Sequence, residues 1–349
     1  MRFVSKIVTG VAVALLLCAG ASAGSDLNEV GAFLIYPAIA ALDDDCPGTV
    51  RSFITMTNAG DKDVIAHISY INGDMYDSKY CYECDFDIPL TPNDTETLAI
   101  SYIPHVGIQI FSLEGTVSRA CAWEYGMIVV SLEDPVTGET ITDNVLLGEQ
   151  VVVNFDYGFA FSVPAIPFQG KNGGNGDRYY GFDDVEYGKL PRVVAADFLA
   201  PQMPGIEGAV FTADLVLLTP GFNRQYPPAV DCSIIGFDAA ENEFSSSIQF
   251  GCWGLFDLCY VDPEFCWPNL GATYGDMNGW LQAHCDVDGA DGGVHGAIFQ
   301  IGATGFRVDR ADESIMSANW AAWGRLLYQS VTTGDAVTLH LEDPPAGMD

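Results

Sequence analysis

Short runs of alternating or β-branched residues, each closed by a turn signal, recur along the whole chain, and helical periodicity is nearly absent. Clear examples are Val64 to Ile71 in the first half and Val230 to Phe237 in the second half. Turn residues such as Asn72-Gly73 and Thr219-Pro220-Gly221 separate the runs. Many short strands at this spacing are typical of antiparallel sandwiches. The sequence therefore predicts an all-β protein.

The two halves of the chain resemble each other in the order and spacing of these runs. The run beginning at Val64 matches the run beginning at Val230, and Cys121 matches Cys285 as a single cysteine on a late strand. The offset is 166 residues for the first match and 164 for the second, and such a near-constant offset is expected for an internal repeat. We therefore predict two tandem, related antiparallel β-sandwich domains, immunoglobulin-like or jelly-roll-like.

Glycine, asparagine and aspartate are concentrated between the halves. The stretch from Gly170 to Asp177 cannot hold a strand, and Pro191 follows soon after it. This composition predicts a linker. The expected organisation is a signal peptide at 1–23, a first sandwich at 24–170, a linker at 171–190 and a second sandwich at 191–349.

The first 23 residues have the layout of a secretory signal peptide. Arg2 and Lys6 supply the positive charge, Ile7 to Cys18 is apolar, and Ala21-Ser22-Ala23 forms a small-residue cleavage site. An apolar run this short does not comfortably span a bilayer. We expect cleavage near Ala23 and an exported protein, extracellular or periplasmic, with no segment inserted in the membrane.

Acidic residues dominate the charge. The chain has 47 Asp and Glu against 14 Lys and Arg, a formal net charge of −33. Such a surface repels phosphate backbones, so nucleic-acid binding is not expected. It suits solubility outside the cell, cation binding or life at high salt, and a solvated acidic face is the simplest interpretation.

Nine cysteines remain once Cys18 leaves with the signal peptide, and an oxidising compartment favours their pairing. All nine are disulfide candidates: Cys46, Cys81, Cys84, Cys121, Cys232, Cys252, Cys259, Cys266 and Cys285. An odd number leaves one thiol free or in an intermolecular disulfide. With four cysteines in the first half and five in the second, each half could close two internal bridges. The unpaired one would then lie in the second half.

The expected pairings follow from position. We expect Cys232 to join either Cys252 or Cys285 across neighbouring strands. In the first half, Cys81 or Cys84 should join Cys46 or Cys121. The spacing Cys81-Tyr82-Glu83-Cys84 also fits zinc or redox sites, but no second ligand pair or βαβ context accompanies it, which favours a structural disulfide.

Aromatic residues cluster around three cysteines spaced seven residues apart, at positions 252, 259 and 266. A cystine-stapled loop could expose Trp253, Tyr260 and Trp267 as flat rings that stack on sugar faces. Packing of these rings in the core is the alternative. The loop is therefore a candidate ligand-binding site.

Three aspartates with two glycines form the best cation candidate. Asp286, Asp288 and Asp291 could wrap oxygen ligands around calcium, although Ala290 stands where a helix-loop-helix calcium site has an acid. An exposed acidic hairpin is the alternative interpretation. No other cofactor is indicated.

The chain also resembles a group of uncharacterised exported bacterial proteins with immunoglobulin-like β-sandwich modules. The resemblance is carried by Tyr36-Pro37, by the strand and turn from Phe53 to Gly60, and by the segment from Leu146 to Gln169. It covers mainly the first half. It implies a sandwich fold and no function.

No catalytic pattern stands out: the nucleophile elbow, the zincin helix and the glycine-rich phosphate loop are all missing from the sequence. The sequence therefore favours a secreted, acidic structural, adhesive or extracellular-matrix-type surface protein without catalytic activity. The alternative is a carbohydrate-binding module that uses the Trp/Tyr loop. A secreted hydrolase with an unrecognised carboxylate site comes third. Expected partners are an extracellular polysaccharide or a surface protein.

Overall fold

A computed structural model describes residues 29–41, 50–103, 107–115, 117–121, 123–155, 158–171, 179–199, 209–221, 227–238, 241–266, 278–308, 315–330 and 332–340. The predicted signal peptide, Cys46 and Trp267 lie outside these residues. Most of the described residues lie in antiparallel strands, which confirms the all-β prediction. No helix among them is long and apolar enough to cross a membrane.

The first half forms strands β1 to β12. Their bounds are Phe33–Ala40 (β1), Val50–Asn58 (β2), Val64–Asn72 (β3), Glu83–Leu90 (β4), Thr95–Ile103 (β5), Gly107–Ser112 (β6), Ser118–Ala120 (β7), Tyr125–Glu133 (β8), Thr140–Ile141 (β9), Leu146–Asn154 (β10), Phe159–Pro164 (β11) and Ile166–Phe168 (β12).

The rest of the chain forms strands β13 to β24 and one short helix. The strands are Tyr179–Phe182 (β13), Val193–Leu199 (β14), Ala209–Leu218 (β15), Val230–Asp238 (β16), Glu243–Phe250 (β17), Trp253–Asp257 (β18), Asn278–Val287 (β19), Ala290–Asp291 (β20), His295–Val308 (β21), Ile315–Leu326 (β22), Tyr328–Gln329 (β23) and Val337–His340 (β24). Helix α1 is Leu258–Val261, and a 3₁₀ turn follows at Pro263–Phe265.

The strands pair into four large sheets and one small one. In the first half, sheet I has the order β11-β10-β2-β5-β6-β7, and sheet II has the order β12-β1-β8-β3-β4 with β9 beside β8. In the second half, sheet III has the order β22-β21-β15-β18, and sheet IV has the order β23-β14-β19-β16-β17 with β20 beside β19. Strands β13 and β24 form the small sheet.

The two halves share one strand order. Sheets II and IV have the same arrangement of neighbouring strands. In chain order, the matching strands are β1, β3, β4, β8 and β12 of sheet II and β14, β16, β17, β19 and β23 of sheet IV. Strands β2, β5, β10 and β11 of sheet I correspond in the same way to β15, β18, β21 and β22 of sheet III. Sheet I is longer by β6 and β7. Sheets II and IV are therefore sister sheets, and so are sheets I and III.

Each half has a buried glutamine that holds the backbone of its first strand near the end of that strand. Gln150 on β10 accepts a hydrogen bond from Ala38 N and donates one to Ala38 O, at 3.3 and 2.8 Å. Gln300 on β21 does the same to Leu199, at 3.2 and 2.9 Å. Each amide satisfies both backbone groups where the first strand of its half reaches its end, so each ties the two sheets of that half together.

The central strands of sheet II are largely apolar and buried on both faces. Tyr36 and Val130 of sheet II belong to the same buried core as Met56 of sheet I, so one face of sheet II packs on sheet I. The other face belongs to a larger core that also contains buried residues of sheets III and IV. Strands that are apolar on both faces are typical of inner layers. The halves therefore share one continuous core instead of standing apart as two separate sandwiches.

Trp253 and a disulfide join the two halves at the edge of that core. The Trp253 ring is buried, and its Nε1 donates a hydrogen bond to Pro37 O at 2.7 Å. The ring lies on the backbone at Gly73, where an added Cβ would come within 2.4 Å of it. The adjacent Cys252 is bonded to Cys81, 171 residues away.

Part of the predicted linker is built into the core. Gly170 to Lys171 and residues 179–190 are described, and 172–178 are not. Tyr180, Phe182 and Tyr187 are fully buried around the ring of Phe33, at centroid distances of 5.3–5.6 Å. The hydroxyl groups of Tyr180 and Ser131 share a hydrogen bond of 2.9 Å. Residues 179–190 of the predicted linker at 171–190 are therefore anchored on sheet II by aromatic residues.

The described cysteines form four bridges. They are Cys81–Cys252, Cys84–Cys121, Cys232–Cys285 and Cys259–Cys266. Two expected pairings, that of Cys84 with Cys121 and that of Cys232 with Cys285, are confirmed. The expectation that each half closes its own bridges is wrong, because Cys81–Cys252 crosses between halves. The cysteine left over is Cys46, in the first half and not the second, and it lies outside the described residues.

One detail of the match between halves is also wrong. Cys285 lies within β19 and faces Cys232 on β16, whereas Cys121 lies before β8 and is bonded to Cys84. By strand pairing, the sister of the Cys232–Cys285 pair is the apolar pair Ala66 and Leu132 on β3 and β8. The match of Val64 with Val230 agrees with the strand order, since each residue begins a sister strand.

Candidate functional site

The three residues of the predicted ligand loop have separate positions. Trp253 is 3% exposed and belongs to the junction between halves, so it is not available as a ligand platform. Tyr260 on α1 is 89% exposed. The bridge Cys259–Cys266 closes a short loop as expected. Because Trp267 lies outside the described residues, the described part of the loop presents Tyr260 alone of the three rings.

Two of the three aspartates of the predicted calcium loop, Asp288 and Asp291, have protein partners. Asp288 Oδ1 accepts a hydrogen bond from Ala229 N at 2.9 Å. Asp291 accepts from Arg192 Nε at 2.8 Å and pairs with His284 Nε2 at 2.6 Å. Within the described ranges, no three His, Cys, Asp or Glu side chains are grouped so that they could hold a metal ion. Calcium binding by Asp286, Asp288 and Asp291 stays a prediction without a formed ligand set.

The outer face of sheet IV carries both polar and aromatic groups. On β16 and β19 the buried residues alternate with exposed ones, so that every second side chain leaves the core. We call this surface the sheet IV face. Its outward residues on the two central strands are Asp231, Ser233, Ile235, Phe237, Trp280, Gln282, His284 and Asp286.

One end of the sheet IV face is aromatic. Phe237 and Trp280 are directly opposite each other on neighbouring strands, and their rings stack 4.4 Å apart with an interplanar angle of 10°. Trp280 remains 41% exposed and Tyr328 57% exposed. The Arg325 guanidinium lies 5.3 Å from the centre of the Tyr328 ring and forms an ion pair with Asp197 at 2.5 Å. An exposed apolar surface with fixed charges at its border is typical of an interaction site.

The other end of the sheet IV face is a polar groove of about 450 Å³. The carboxylates of Asp231 and Asp286 are on directly opposite residues, and Asp286 is in turn opposite Asp291. Arg192 and His284 both contact Asp291, which places positive and hydrogen-bonding groups beside the acids. The groove offers many hydrogen-bond partners and a negative potential, so it suits polar or cationic groups.

A pair of opposed acids also occurs on sheet III. Asp214 and Asp257 are opposite each other on β15 and β18, and burial followed by the charge of Asp257 raises the pKa of Asp214 to about 6. Asp257 accepts a hydrogen bond from Cys259 N at the start of α1. Neither acid lines the polar groove. The position of this pair indicates a structural role, with Asp257 as a helix cap.

Sequence analysis missed the sheet IV face as a site. Its signal was present in the alternation from Asn278 to Val287, in which Trp280, His284 and Asp286 occupy every second position. That pattern predicts a strand with one solvent-exposed face. It does not show which neighbouring strands add Phe237 and Tyr328 to the same surface.

Comparison with family models, with curated protein sequences and with solved structures found no match to this chain.

Proposed function

We propose that this chain is a secreted, acidic structural or adhesive protein of the cell exterior that acts through its surface and not through catalysis. The observation that carries the proposal is the sheet IV face, an exposed aromatic and polar surface on a body whose halves are joined by a shared core and by Cys81–Cys252. A rigid body with an exposed face suits a load-carrying or adhesive role, because little conformational entropy is lost when it binds.

The disulfides support the proposed location. Four bridges in the described residues fit an oxidising compartment, and the signal-peptide pattern of residues 1–23 gives the route to it. The −33 charge fits a soluble surface protein that repels nucleic acid.

We also infer that each half is a copy of one β-sandwich module. The shared strand order supports this inference, and so do the two glutamine clamps, because Gln150 and Gln300 lie on sister strands and each holds the first strand of its half near its end. The immunoglobulin-like or jelly-roll-like assignment of the module remains part of this proposal.

A direct test of the function is retention on cells. The gene is deleted from the organism that produces the protein, purified mature protein is added to these cells, and the bound fraction is measured after washing. We expect saturable binding that Trp280→Glu weakens at least tenfold. Tyr260→Glu is the control, because it changes another exposed ring away from the sheet IV face. Absence of binding, together with turnover of a cell-envelope substrate, would contradict the proposal.

A second candidate function is polysaccharide binding on the same face. Trp280 and Tyr328 are exposed rings beside polar side chains, an arrangement that stacks on sugars. Depletion of the protein by insoluble polysaccharides measures this directly. Binding that Trp280→Glu removes and Tyr260→Glu leaves unchanged would favour this alternative.

A further inference from the structure

We propose that the sheet IV face of one molecule docks on the outer face of sheet I of a second copy, so that copies associate head to tail. This inference rests on the proposed structural function and names its partner.

The precedent lies inside the molecule. Sheet II is the sister of sheet IV, and its corresponding face is covered by the small sheet and by sheet III. The sister pair of Phe237 and Trp280 is Ile71 and Met127, which are opposite each other on β3 and β8. Ile71 and Met127 are fully buried in the core shared between halves. The face that is buried in the first half is thus left exposed in the second.

The occupant follows from the same correspondence. Sheet III, which packs on sheet II, is the sister of sheet I, and β1 of sheet II packs directly against β15 and β21 of sheet III. The outer face of sheet I carries Phe53, Phe111 and Val151, apolar side chains that are only partly buried. Phe53 is directly opposite both Val151 and Ala99, so these residues form one patch.

Within the described ranges, the molecule therefore carries two at least partly exposed surfaces that correspond to the two sides of an interface it already contains. A contact between different surfaces on identical copies is heterologous, and it propagates into chains unless its rotation closes a ring. The free sheet IV face of the second copy would accept a third molecule in the same way.

The contact between copies lacks the two strongest features of the internal junction. The turn before β5, Thr91-Pro92-Asn93-Asp94, has no tryptophan to match Trp253. The turn after β16 has no cysteine to match Cys81. Each copy also carries a charge of −33, so the copies repel each other at low ionic strength. We expect association that is reversible and that strengthens as salt screens the charge.

Sedimentation velocity of the mature protein over a range of concentrations and NaCl tests the proposal. Wild type should form dimers and longer species as concentration and salt rise. Trp280→Glu on the sheet IV face and Phe53→Glu on sheet I should each shift the midpoint concentration at least tenfold upward. Thr57→Glu, also on sheet I, is a second variant that tests the same face if Phe53→Glu does not fold. Tyr260→Glu on α1 and Val136→Glu in the turn after β8 change exposed residues away from both faces. Both variants should associate as wild type does.

Mixing the two blocked variants gives the sharpest outcome. Each retains one intact face, so an equimolar mixture of Trp280→Glu and Phe53→Glu should form a heterodimer and nothing longer. The proposal is overturned if wild type stays monomeric at high salt, or if the folded sheet I variants associate as wild type does. A wild-type monomer that still binds cells or polysaccharide through Trp280 would overturn the self-association and leave the proposed surface function standing.

Discussion

Removal of the disulfide between halves should destabilise the protein far more than removal of the loop disulfide. The double variant Cys81→Ala/Cys252→Ala opens the bridge that spans 171 residues, whereas Cys259→Ala/Cys266→Ala opens one that spans 7. A cross-link stabilises the folded state mainly by restricting the unfolded chain, and the restriction grows with loop length.

The magnitude follows from the loop lengths. Cys84–Cys121 shortens the larger loop by 37 residues, which leaves about 134 residues in an otherwise oxidised unfolded chain. The relation −2.1 − 1.5R ln n cal/mol/K gives about 5 kcal/mol at 25 °C for that loop and about 2.4 kcal/mol for the seven-residue loop. The buried sulfurs of Cys81 and Cys252 add to the larger loss, because their removal leaves unfilled space.

Urea unfolding followed by circular dichroism and by tryptophan fluorescence measures both losses. The two probes should give coincident transitions in wild type, because the halves share one core. We expect the variant without the bridge between halves to lose at least about 2.5 kcal/mol more than the loop variant. Equal losses in the two variants, or separate transitions for the two halves of wild type, would refute the reasoning.

Three further predictions concern single buried side chains. Gln150→Leu and Gln300→Leu should each cost about 2–4 kcal/mol in urea unfolding, since each leaves a backbone N–H and C=O unpaired; a cost near zero for either would contradict the paired clamps. Trp253→Ala should cost about 3–5 kcal/mol, and a cost typical of a surface residue would contradict its buried position. Burial lowers the pKa of His295 from 6.5 to about 4, so stability present above pH 6.5 should fall by up to about 3 kcal/mol as pH drops through this range. Asp214, whose pKa is raised to about 6, has the opposite effect, because its protonation stabilises the folded state as pH drops over the same range. His295→Gln is therefore compared with its parent in an Asp214→Asn background. A loss of stability at low pH that persists in His295→Gln would refute the role of His295.

The fold class and the strand positions could be predicted because the alternation of apolar and polar residues along a strand follows directly from which side chains are buried. The runs at Val64 and Val230 form sister strands close to the predicted bounds, since β-branched residues and turn signals act locally. Pairing of Cys232 with Cys285 was one of two alternatives, and strand order decides between them: β19 lies beside β16 with Cys285 opposite Cys232.

The junction between the halves could not be predicted from local pattern. The sequence around Trp253 does not tell whether its ring is exposed on a loop or packed against Pro37, because the residues that bind it, Pro37 and Tyr80, are more than 170 positions away. For the same reason, the aromatic residues at 180, 182 and 187 read as the end of a linker, although they cover Phe33. The sheet IV face was missed because its rings come from three separate strands.

Disulfide mapping of the freshly secreted protein tests the central claim, one body locked across its halves, most directly. Digestion under non-reducing conditions with blocked thiols, followed by mass spectrometry, should yield a peptide pair that joins Cys81 to Cys252. Peptides with Cys84–Cys121, Cys232–Cys285 and Cys259–Cys266 should accompany it, and Cys46 should be the one cysteine outside these bridges. Recovery of Cys81 bonded within the first half and Cys252 within the second would contradict the account.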